Sequence, residues 1–434
     1  MLKIYTLYSL SLLKVQQLCT RNVDENNRIK TVVEEIIKEV KLKGDEALRS
    51  FAEKFDDIKL NKLYIGKEEL DNLAASIGET EKQALKLAYQ NIKKFHETQL
   101  VSEGKVETTK GVLCWREPRA IEKVGLYIPG GTAVLPSTLL MLGVPAKLAG
   151  CREITVCSPP QKDGMVNCYL AYCAQLLGID RIYMLGGAQA IAAMAYGTET
   201  INKVDKIFGP GNQYVTKAKT IVQSESQTAI DMPAGPSEVL IIADNTANPI
   251  YVAADLLAQA EHGTDSQAIL VSDSKKLIAE TIVQLKCQLA ILPRAGIAAK
   301  AIANSYAVLT NNLEEAMTFS NMYAPEHLIL ATDSWNAISP QIINAGSVFL
   351  GHFSPESAGD YASGTNHTLP TSSHAKAYSG VSVDSFIKKI TFQHISREGI
   401  ENLGPTVEVL AELEGLLAHK NAISVRLLKD VQAS

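Results

Sequence analysis

Histidine stands close to a carboxylate or an amide at four places in the C-terminal half of this chain, which has only eight histidines. The four pairs are Gln259 with His262, Glu326 with His327, Asp360 with His367, and Glu414 with His419. Nitrogen and oxygen ligands together, without a nearby thiolate, suit a divalent metal such as zinc. An adjacent glutamate and histidine can also move protons near neutral pH. These residue types predict an enzyme.

The pair Gln259 and His262 lies at the end of a helix predicted over 249–262. Residues three positions apart share a helix face, so the amide oxygen and the imidazole could bind one metal ion from that face. The alternative is a histidine that ends the helix and bonds only to the backbone. The pair alone does not distinguish these two interpretations.

Glu326 and His327 follow Pro325 and begin a strand predicted at 328–331. Neighbouring side chains on a strand point to opposite faces, so we expect the two groups to act on different sides of a substrate. An exposed pair in a loop is the alternative.

The other two pairs are placed differently. Asp360 and His367 lie in a loop punctuated by glycines, where the backbone can turn and approach a ligand closely; a plain surface turn is the alternative. Glu414 and His419 are five residues apart, so they share a helix face only if the helix unwinds near Ala418.

The strands and helices that must position these groups are predicted in a regular alternation. From Val124 onward, short apolar strands alternate with glycine turns and helices, and this pattern begins again after an interruption at 229–237. This alternation is typical of parallel sheets covered by helices on both faces. It predicts an α/β fold with two incomplete Rossmann-like parallel-sheet domains and a small C-terminal extension. The predicted divisions are an N-terminal arm (1–23), one α/β domain (24–126 with 238–380), an inserted nucleotide-binding domain (127–237), and a tail (381–434) with an irregular link and a helix near 405–418.

A glycine turn at 186–190 lies between a predicted strand and a predicted helix, where backbone N–H groups can face a phosphate. The dinucleotide-binding pattern G-x-G-x-x-G is absent, and such a turn is often purely structural. The turn therefore permits nucleotide binding without requiring it.

Composition excludes several classes of protein. The 434 residues carry a net charge of −5, so no basic nucleic-acid-binding surface is implied. Pro136, Pro145 and Lys147 interrupt the best candidate for a membrane span. The seven cysteines form no C-x-x-C pair, and their odd number argues against a complete set of disulfides. Both features favour a reducing cytoplasm. We interpret all seven as structural.

Longer motifs carry a family resemblance. They are IDMPAGPSEV at 230–239, ADLLAQAEHG at 254–263, YAPEHL at 323–328 and GDYASGTNHTLPT at 359–371, with GLYIPGG at 125–131, GGAQAIAAMAYGT at 186–198 and FGPGNQYVTKAK at 208–219. Along most of its length the chain resembles the histidinol dehydrogenase family. The first 20 residues and the last ten match less specifically, and Thr365 stands where many members carry proline.

The resemblance implies oxidation of L-histidinol through L-histidinaldehyde to L-histidine with two NAD+, at the end of histidine biosynthesis. It also implies a homodimer in which the C-terminal tail completes the partner's active site. The residues it implies are Glu326 and His327 for catalysis; Gln259, His262, Asp360 and His419 for one zinc ion and the substrate; Ser237, His327, His367 and Glu414 as further substrate contacts; and Tyr127, Gln189 and Asn212 for NAD.

Two other interpretations stay open at the level of sequence. One is an NAD-linked dehydrogenase of the same construction with a different alcohol or aldehyde substrate. The other is a zinc-binding or assembly protein without activity, against which the presence of both Glu326 and His327 argues.

Overall fold

The computed structural model describes residues 2–21, 27–101, 103–130, 134–232 and 235–428, which divide into two compact units. One unit comprises residues 1–99 and 121–386, and the other comprises 100–120 and 387–434. The strands of the described residues are β1 (Lys3–Thr6), β2 (Tyr64–Gly66), β3 (Val106–Thr109), β4 (Val112–Ala120), β5 (Lys123–Tyr127), β6 (Glu153–Ser158), β7 (Arg181–Met184), β8 (Lys206–Phe208), β9 (Ala229–Ile230), β10 (Glu238–Ala243), β11 (Gln267–Ser272), β12 (Tyr306–Leu309), β13 (His327–Ala331), β14 (Ser347–Leu350) and β15 (Ile387–Ile395).

Helices cover and connect these strands. They are α1 (Leu12–Cys19), α2 (Asn27–Lys43), α3 (Asp45–Phe51), α4 (Lys67–Ala75), α5 (Glu79–Glu97), α6 (Pro136–Ala149), α7 (Cys168–Leu177), α8 (Gly187–Tyr196), α9 (Gln213–Glu225), α10 (Pro249–Ala260), α11 (Lys275–Leu289), α12 (Ala295–Ala303), α13 (Leu313–Tyr323), α14 (Trp335–Ile338), α15 (Glu356–Tyr361), α16 (Arg397–Leu413) and α17 (Leu417–Leu427). Among the helices of the described residues, none combines the length and the apolar character that crossing a membrane requires.

The larger unit contains two six-stranded sheets. Sheet A has the order β1-β12-β11-β10-β13-β14 and is parallel throughout. Sheet B has the order β2-β7-β6-β5-β8-β9 and is parallel except for β2. All six residues of β10 are buried, as expected for a central strand with helices on both faces. The predicted α/β class with two parallel sheets is confirmed.

Residues 27–97 pack differently from the sequence expectation, which grouped 24–126 with 238–380. β2 pairs with β7, and the apolar faces of α2, α4 and α5 join the core of sheet B. The amphipathic pattern of these helices specifies that one face is buried, but it does not specify which sheet covers that face. The N-terminal stretch is likewise more than an arm, because β1 extends sheet A beside β12.

The smaller unit contains a three-stranded antiparallel sheet in the order β15-β4-β3, followed in the chain by α16 and α17. Two expectations for this region were wrong. The predicted irregular link contains the nine-residue strand β15, and the helix predicted near 405–418 is instead a pair that breaks at Gly415, whose φ is +72°. The positive φ at that glycine separates the helices before Ala418, the position at which the sequence pattern required unwinding.

Candidate active site

The predicted catalytic pair, Glu326 and His327, lies where two neighbouring strands of sheet A begin. His327 is the first residue of β13, and Glu238 is the first residue of the adjacent strand β10. The amide of Glu238 donates to Glu326 Oε2 at 2.8 Å, and the carbonyl of Glu238 lies 3.3 Å from His327 Nδ1. The backbone of one buried residue thus holds both groups. The site lies at the amino edge of the sheet, opposite to the edge that open parallel sheets usually use.

Glu326 and His327 face the same side, contrary to the expectation that they act on opposite sides of a substrate. Glu326 Oε2 lies 3.7 Å from His327 Nδ1. Glu326 lies just before β13, so the rule that neighbouring side chains of a strand point to opposite faces does not apply to it. Its carboxylate instead accepts a hydrogen bond from the Glu238 amide. The turn begins at Ala324, which ends α13 in the left-handed conformation with φ of 56°. Such backbone strain in a non-glycine residue is characteristic of positions that aim functional groups.

Three carboxylates surround the imidazole of His327. Besides Glu326, Glu356 Oε1 lies 3.9 Å from Nδ1, and Asp360 Oδ1 lies 3.4 Å from Nε2. The Asp360 contact is an ion pair without hydrogen-bond alignment, since Nε2 has no hydrogen-bond partner among the described residues. His327 and the three carboxyl groups are all buried, with exposed fractions of 8% or less.

This arrangement changes the proton affinities of the site. Although burial alone would lower it, the pKa of His327 is raised to about 10, because Glu356, Glu326 and Asp360 favour the imidazolium. Burial raises the pKa of Glu326 to about 7, a value suited to proton transfer near neutrality. Burial also raises the pKa of Glu356, whereas the charge of His327 lowers the pKa of Asp360 against the effect of burial.

A second cluster adjoins the first. His262, Glu356 and Asp360 offer ligand atoms that all lie within 4.8 Å of one another, and α10 packs against α15, which carries both acids. His262 lies two residues beyond the observed end of α10, not inside the helix as predicted, and its amide bonds to the Gln259 carbonyl at 3.3 Å. His262 is exposed, and its pKa is lowered chiefly by partial removal from water. Mixed imidazole and carboxylate donors at these separations fit a divalent metal.

Gln259 supports the same interpretation. Its side chain is fully buried, yet neither Oε1 nor Nε2 has a hydrogen-bond partner among the described residues. A buried amide without partners costs free energy, about 1–3 kcal/mol by mutational measures, unless a ligand or water satisfies it. Glu356 Oε2 is unpartnered in the same way. The donor set therefore fits a bound cation.

The other predicted substrate contacts lie on nearby segments or in the smaller unit. His367 donates or accepts at both nitrogens, with Nδ1 2.8 Å from the Asp360 carbonyl and Nε2 3.1 Å from Thr138 Oγ1 on α6. Ser237 is half-buried and directly precedes β10. Glu414 follows α16 and His419 lies in α17, and both are exposed in the smaller unit.

The three residues expected to contact NAD follow the carboxyl ends of three parallel strands of sheet B. Tyr127 ends β5, Gln189 lies in the first turn of α8 after β7, and Asn212 caps α9 after β8. The chain continues from β5 to β6 on one side of β5 and later crosses from β7 to β8 on the other side, and ligands commonly bind at such a reversal of strand order. The Tyr127 hydroxyl accepts from the Gly187 amide at 3.1 Å, so it supports the glycine turn.

Gly209, directly after β8, lies very close to the backbone at the end of β5. Its φ is +129°, and a Cβ there would lie 2.1 Å from the Tyr127 carbonyl oxygen. Only glycine fits this close approach, so the FGPGN segment can pass directly over the end of β5.

Comparisons with known proteins agree with the sequence motifs. The histidinol dehydrogenase family model matches residues 19–427. A histidinol dehydrogenase from Bacteroides thetaiotaomicron is 56% identical over 395 residues, which cover 91% of this chain and 92% of that protein. The chain belongs to the histidinol dehydrogenase family. The resemblance found in the sequence is confirmed, and the protein is an oxidoreductase, as predicted.

Other members of the histidinol dehydrogenase family are similar to this chain over nearly its whole length. A chloroplastic histidinol dehydrogenase from Arabidopsis thaliana is 50% identical over 436 residues, covering 100% of this chain and 92% of that protein. The crystal structure of histidinol dehydrogenase from Elizabethkingia anophelis superposes with a TM-score of 0.95 at 51% identity and covers 98% of each chain.

Glu356 is the site residue that sequence reasoning missed. The family resemblance does not imply a role for it, although it lies 3.9 Å from His327 and is only 1% exposed. Its spacing was an available signal. Glu356 and Asp360 are four residues apart on one short helix and therefore share a face, but no histidine stands beside Glu356 to draw attention to it.

Proposed function

We propose that this protein oxidises L-histidinol through L-histidinaldehyde to L-histidine with two NAD+, as the final steps of histidine biosynthesis, and that it requires zinc. The observation that carries this proposal is the buried cluster at the amino edge of sheet A. There a histidine and an acid that can move protons lie beside donors suited to a divalent cation.

Gln259, His262 and Asp360 would bind the zinc ion together with His419 of the partner subunit in a homodimer. Bound zinc would orient the amino and imidazole nitrogens of histidinol and would not take part in the redox chemistry. Ser237, His327 and His367 would contact the substrate, together with Glu414 of the partner subunit. Two observations support this division: the orphaned amide of Gln259, and the absence of His327 from the ligand cluster of the described residues.

His327 would accept the hydroxyl proton as hydride leaves the alcohol carbon. Its carboxylate neighbours keep it protonated at neutral pH when no cation is present. Positive charge bound at Asp360 would offset those carboxylates and release the imidazole to act as a base. The same group would accept a proton in the second oxidation, because the hydrated aldehyde is again an alcohol at the reacting carbon.

Glu326 would activate the water that hydrates the aldehyde. Its raised pKa of about 7 lets it exchange protons at physiological pH. Burial of the site would also retain the reactive aldehyde between the two oxidations.

NAD would bind at the carboxyl edge of sheet B, where Tyr127, Gln189 and Asn212 stand, and would supply the hydride acceptor. NAD must exchange once while the aldehyde stays bound, and a site that binds the nucleotide weakly suits that exchange. The absence of the G-x-G-x-x-G pattern agrees with such a site. All seven cysteines are free, in keeping with a reducing cytoplasm as the proposed location.

Glu326→Gln should impair aldehyde oxidation by about 10²- to 10⁴-fold, while the oxidation of histidinol to the aldehyde falls by less than about tenfold. Glutamine keeps an oxygen that can accept from the Glu238 amide, so the backbone position is preserved, but it cannot accept a proton from water. NADH formation from histidinol and from histidinaldehyde, measured separately, checks this result. Equal loss in both steps would remove the assignment of Glu326 to water activation.

The wild-type pH profile provides a second measure of the same role. Below pH 7 the raised pKa leaves Glu326 protonated and unable to act as a base, so aldehyde oxidation should increase as pH rises through about 7. This limb should be missing in Glu326→Gln.

Zinc analysis of the purified protein, combined with NADH formation on histidinol, tests the function directly. We expect one zinc per subunit and two NADH per histidinol consumed. NADH from another amino alcohol but not from histidinol would favour a dehydrogenase of different substrate. Bound zinc without any NADH would favour the inactive zinc-binding protein.

A further inference from the structure

Arg21 connects the N-terminal segment, to which no sequence motif assigns a role, to the edge of sheet A that carries Glu326 and His327. Its guanidinium is largely buried. Nη1 donates to Glu238 Oε2 at 3.0 Å and to the carbonyls of Pro236 and Ser237 at 3.3 and 3.5 Å. Nη2 donates to the Asp265 carbonyl at 2.5 Å. One side chain thus binds the residues that lead into β10 and the turn that leads into β11.

Glu238 is the residue through which this contact reaches the active site. Its carboxylate is fully buried and also accepts from the Tyr323 hydroxyl at 3.1 Å and from the Ser372 amide at 3.0 Å. The backbone of the same residue holds Glu326 through its amide and His327 through its carbonyl. A shift of Glu238 would therefore move both groups of the catalytic pair.

We propose that Arg21 is a positioning residue that fixes Ser237 and Glu238 at the start of β10, and through Glu238 the placement of Glu326 and His327. The planar guanidinium is suited to this task because its fork of donors serves a carboxylate and several carbonyls at once, which the point charge of lysine cannot do. Without it, the Glu238 carboxylate would be buried with no cation beside it, a costly arrangement that would displace the strand start. The catalytic consequence rests on the proposed function, whereas the structural consequence does not.

Hydrogen–deuterium exchange and steady-state kinetics of Arg21→Ala test the proposal. We expect faster exchange at the Glu238 amide and a fall in kcat of about 100-fold in both oxidations, because a misplacement of about 1 Å in a catalytic group has effects of that size. Guanidinium ions at a non-denaturing concentration should restore part of the kcat, and methylammonium ions should not. Such rescue would not follow from a general loss of stability.

Tyr306→Phe is the matched control. The Tyr306 hydroxyl donates to the Leu18 carbonyl at 2.7 Å and so anchors the same N-terminal segment, and this hydrogen bond does not involve residues 236–238. Its exchange at Glu238 and its kcat should stay within about twofold of wild type, as is usual where no catalytic group is displaced. Arg21→Lys, which keeps the charge and the apolar stem, serves if the alanine variant does not fold, and should show the same two effects in weaker form.

Unchanged exchange at the Glu238 amide in a folded Arg21 variant would overturn the proposal, as would a kcat within about twofold of wild type. Failure of the wild-type protein to form NADH from histidinol would instead contradict the proposed function. In that case the exchange measurement still decides whether Arg21 holds the start of β10.

Discussion

Replacing His327 with alanine should abolish histidinol oxidation, by about 10²- to 10⁴-fold or more, while the protein retains its zinc. The imidazole is buried and lies within 4 Å of three carboxylates, and alanine removes the group that can accept the hydroxyl proton there. General-base catalysis contributes a factor of this order, and none of the remaining acids can replace a base with the same position. The ligand cluster does not include His327, so the metal should stay.

NADH formation and zinc content, measured on the same preparation, check this expectation. His352→Ala is the matched control, because His352 pairs with Asp333 at 3.1 Å away from the cluster, and its loss should leave both quantities unchanged. Loss of zinc from His327→Ala would count against the separation of catalytic and ligand roles. Retained activity would exclude His327 as the base.

In His262→Asn, metal and activity should be lost together, with zinc affinity reduced at least about 100-fold, since changes to residues that only support a ligand already cost 10- to 100-fold. Asparagine keeps a polar group of similar size but offers no ring nitrogen to the cluster formed with Asp360 and Glu356. The proposed ligands that remain would be Gln259, Asp360 and His419 of the partner subunit, one donor short of the four that a tetrahedral zinc site uses.

Titration with zinc, followed by activity, checks this prediction. Glu261→Gln changes the neighbouring carboxylate and should bind zinc normally. Glu356→Gln distinguishes two ligand sets: it should keep the metal if Gln259, His262 and Asp360 are the ligands, and lose it if Glu356 is one of them. A His262→Asn variant that binds zinc like wild type would contradict the assignment of His262.

The local elements were predictable because their signals are local. The buried strands β5, β6, β10, β11 and β13 and the helices after them follow from apolar runs, glycine turns and capping residues that lie within a few positions of one another. β15 was not predicted because its signal is not local: two adjacent lysines interrupt the apolar–polar alternation of IKKITFQHI, and its partner β4 lies about 270 residues earlier in the chain.

The residue types able to transfer protons were equally predictable, but the groups that surround them in the fold were not. Glu326 and His327 stand side by side in the sequence, so their capacity for proton transfer needed no structure. The group that holds both of them is the backbone of Glu238, 88 residues from Glu326, and a backbone amide has no signature in the sequence. Arg21 lies a further 217 residues from Glu238.

By itself, the sequence determined the alternation of strands and helices in the two parallel-sheet regions, the family, and residue types that are able to bind a metal or move a proton. Only the tertiary structure decided that three acids lie around His327, that residues 27–97 pack on sheet B, and that Glu326 and His327 lie at the amino edge of sheet A. The physical reason is that periodicity and capping act between near neighbours in the chain. Burial and Coulomb interactions act through space, and they set the pKa of His327 and Glu326 through residues brought together only by the fold.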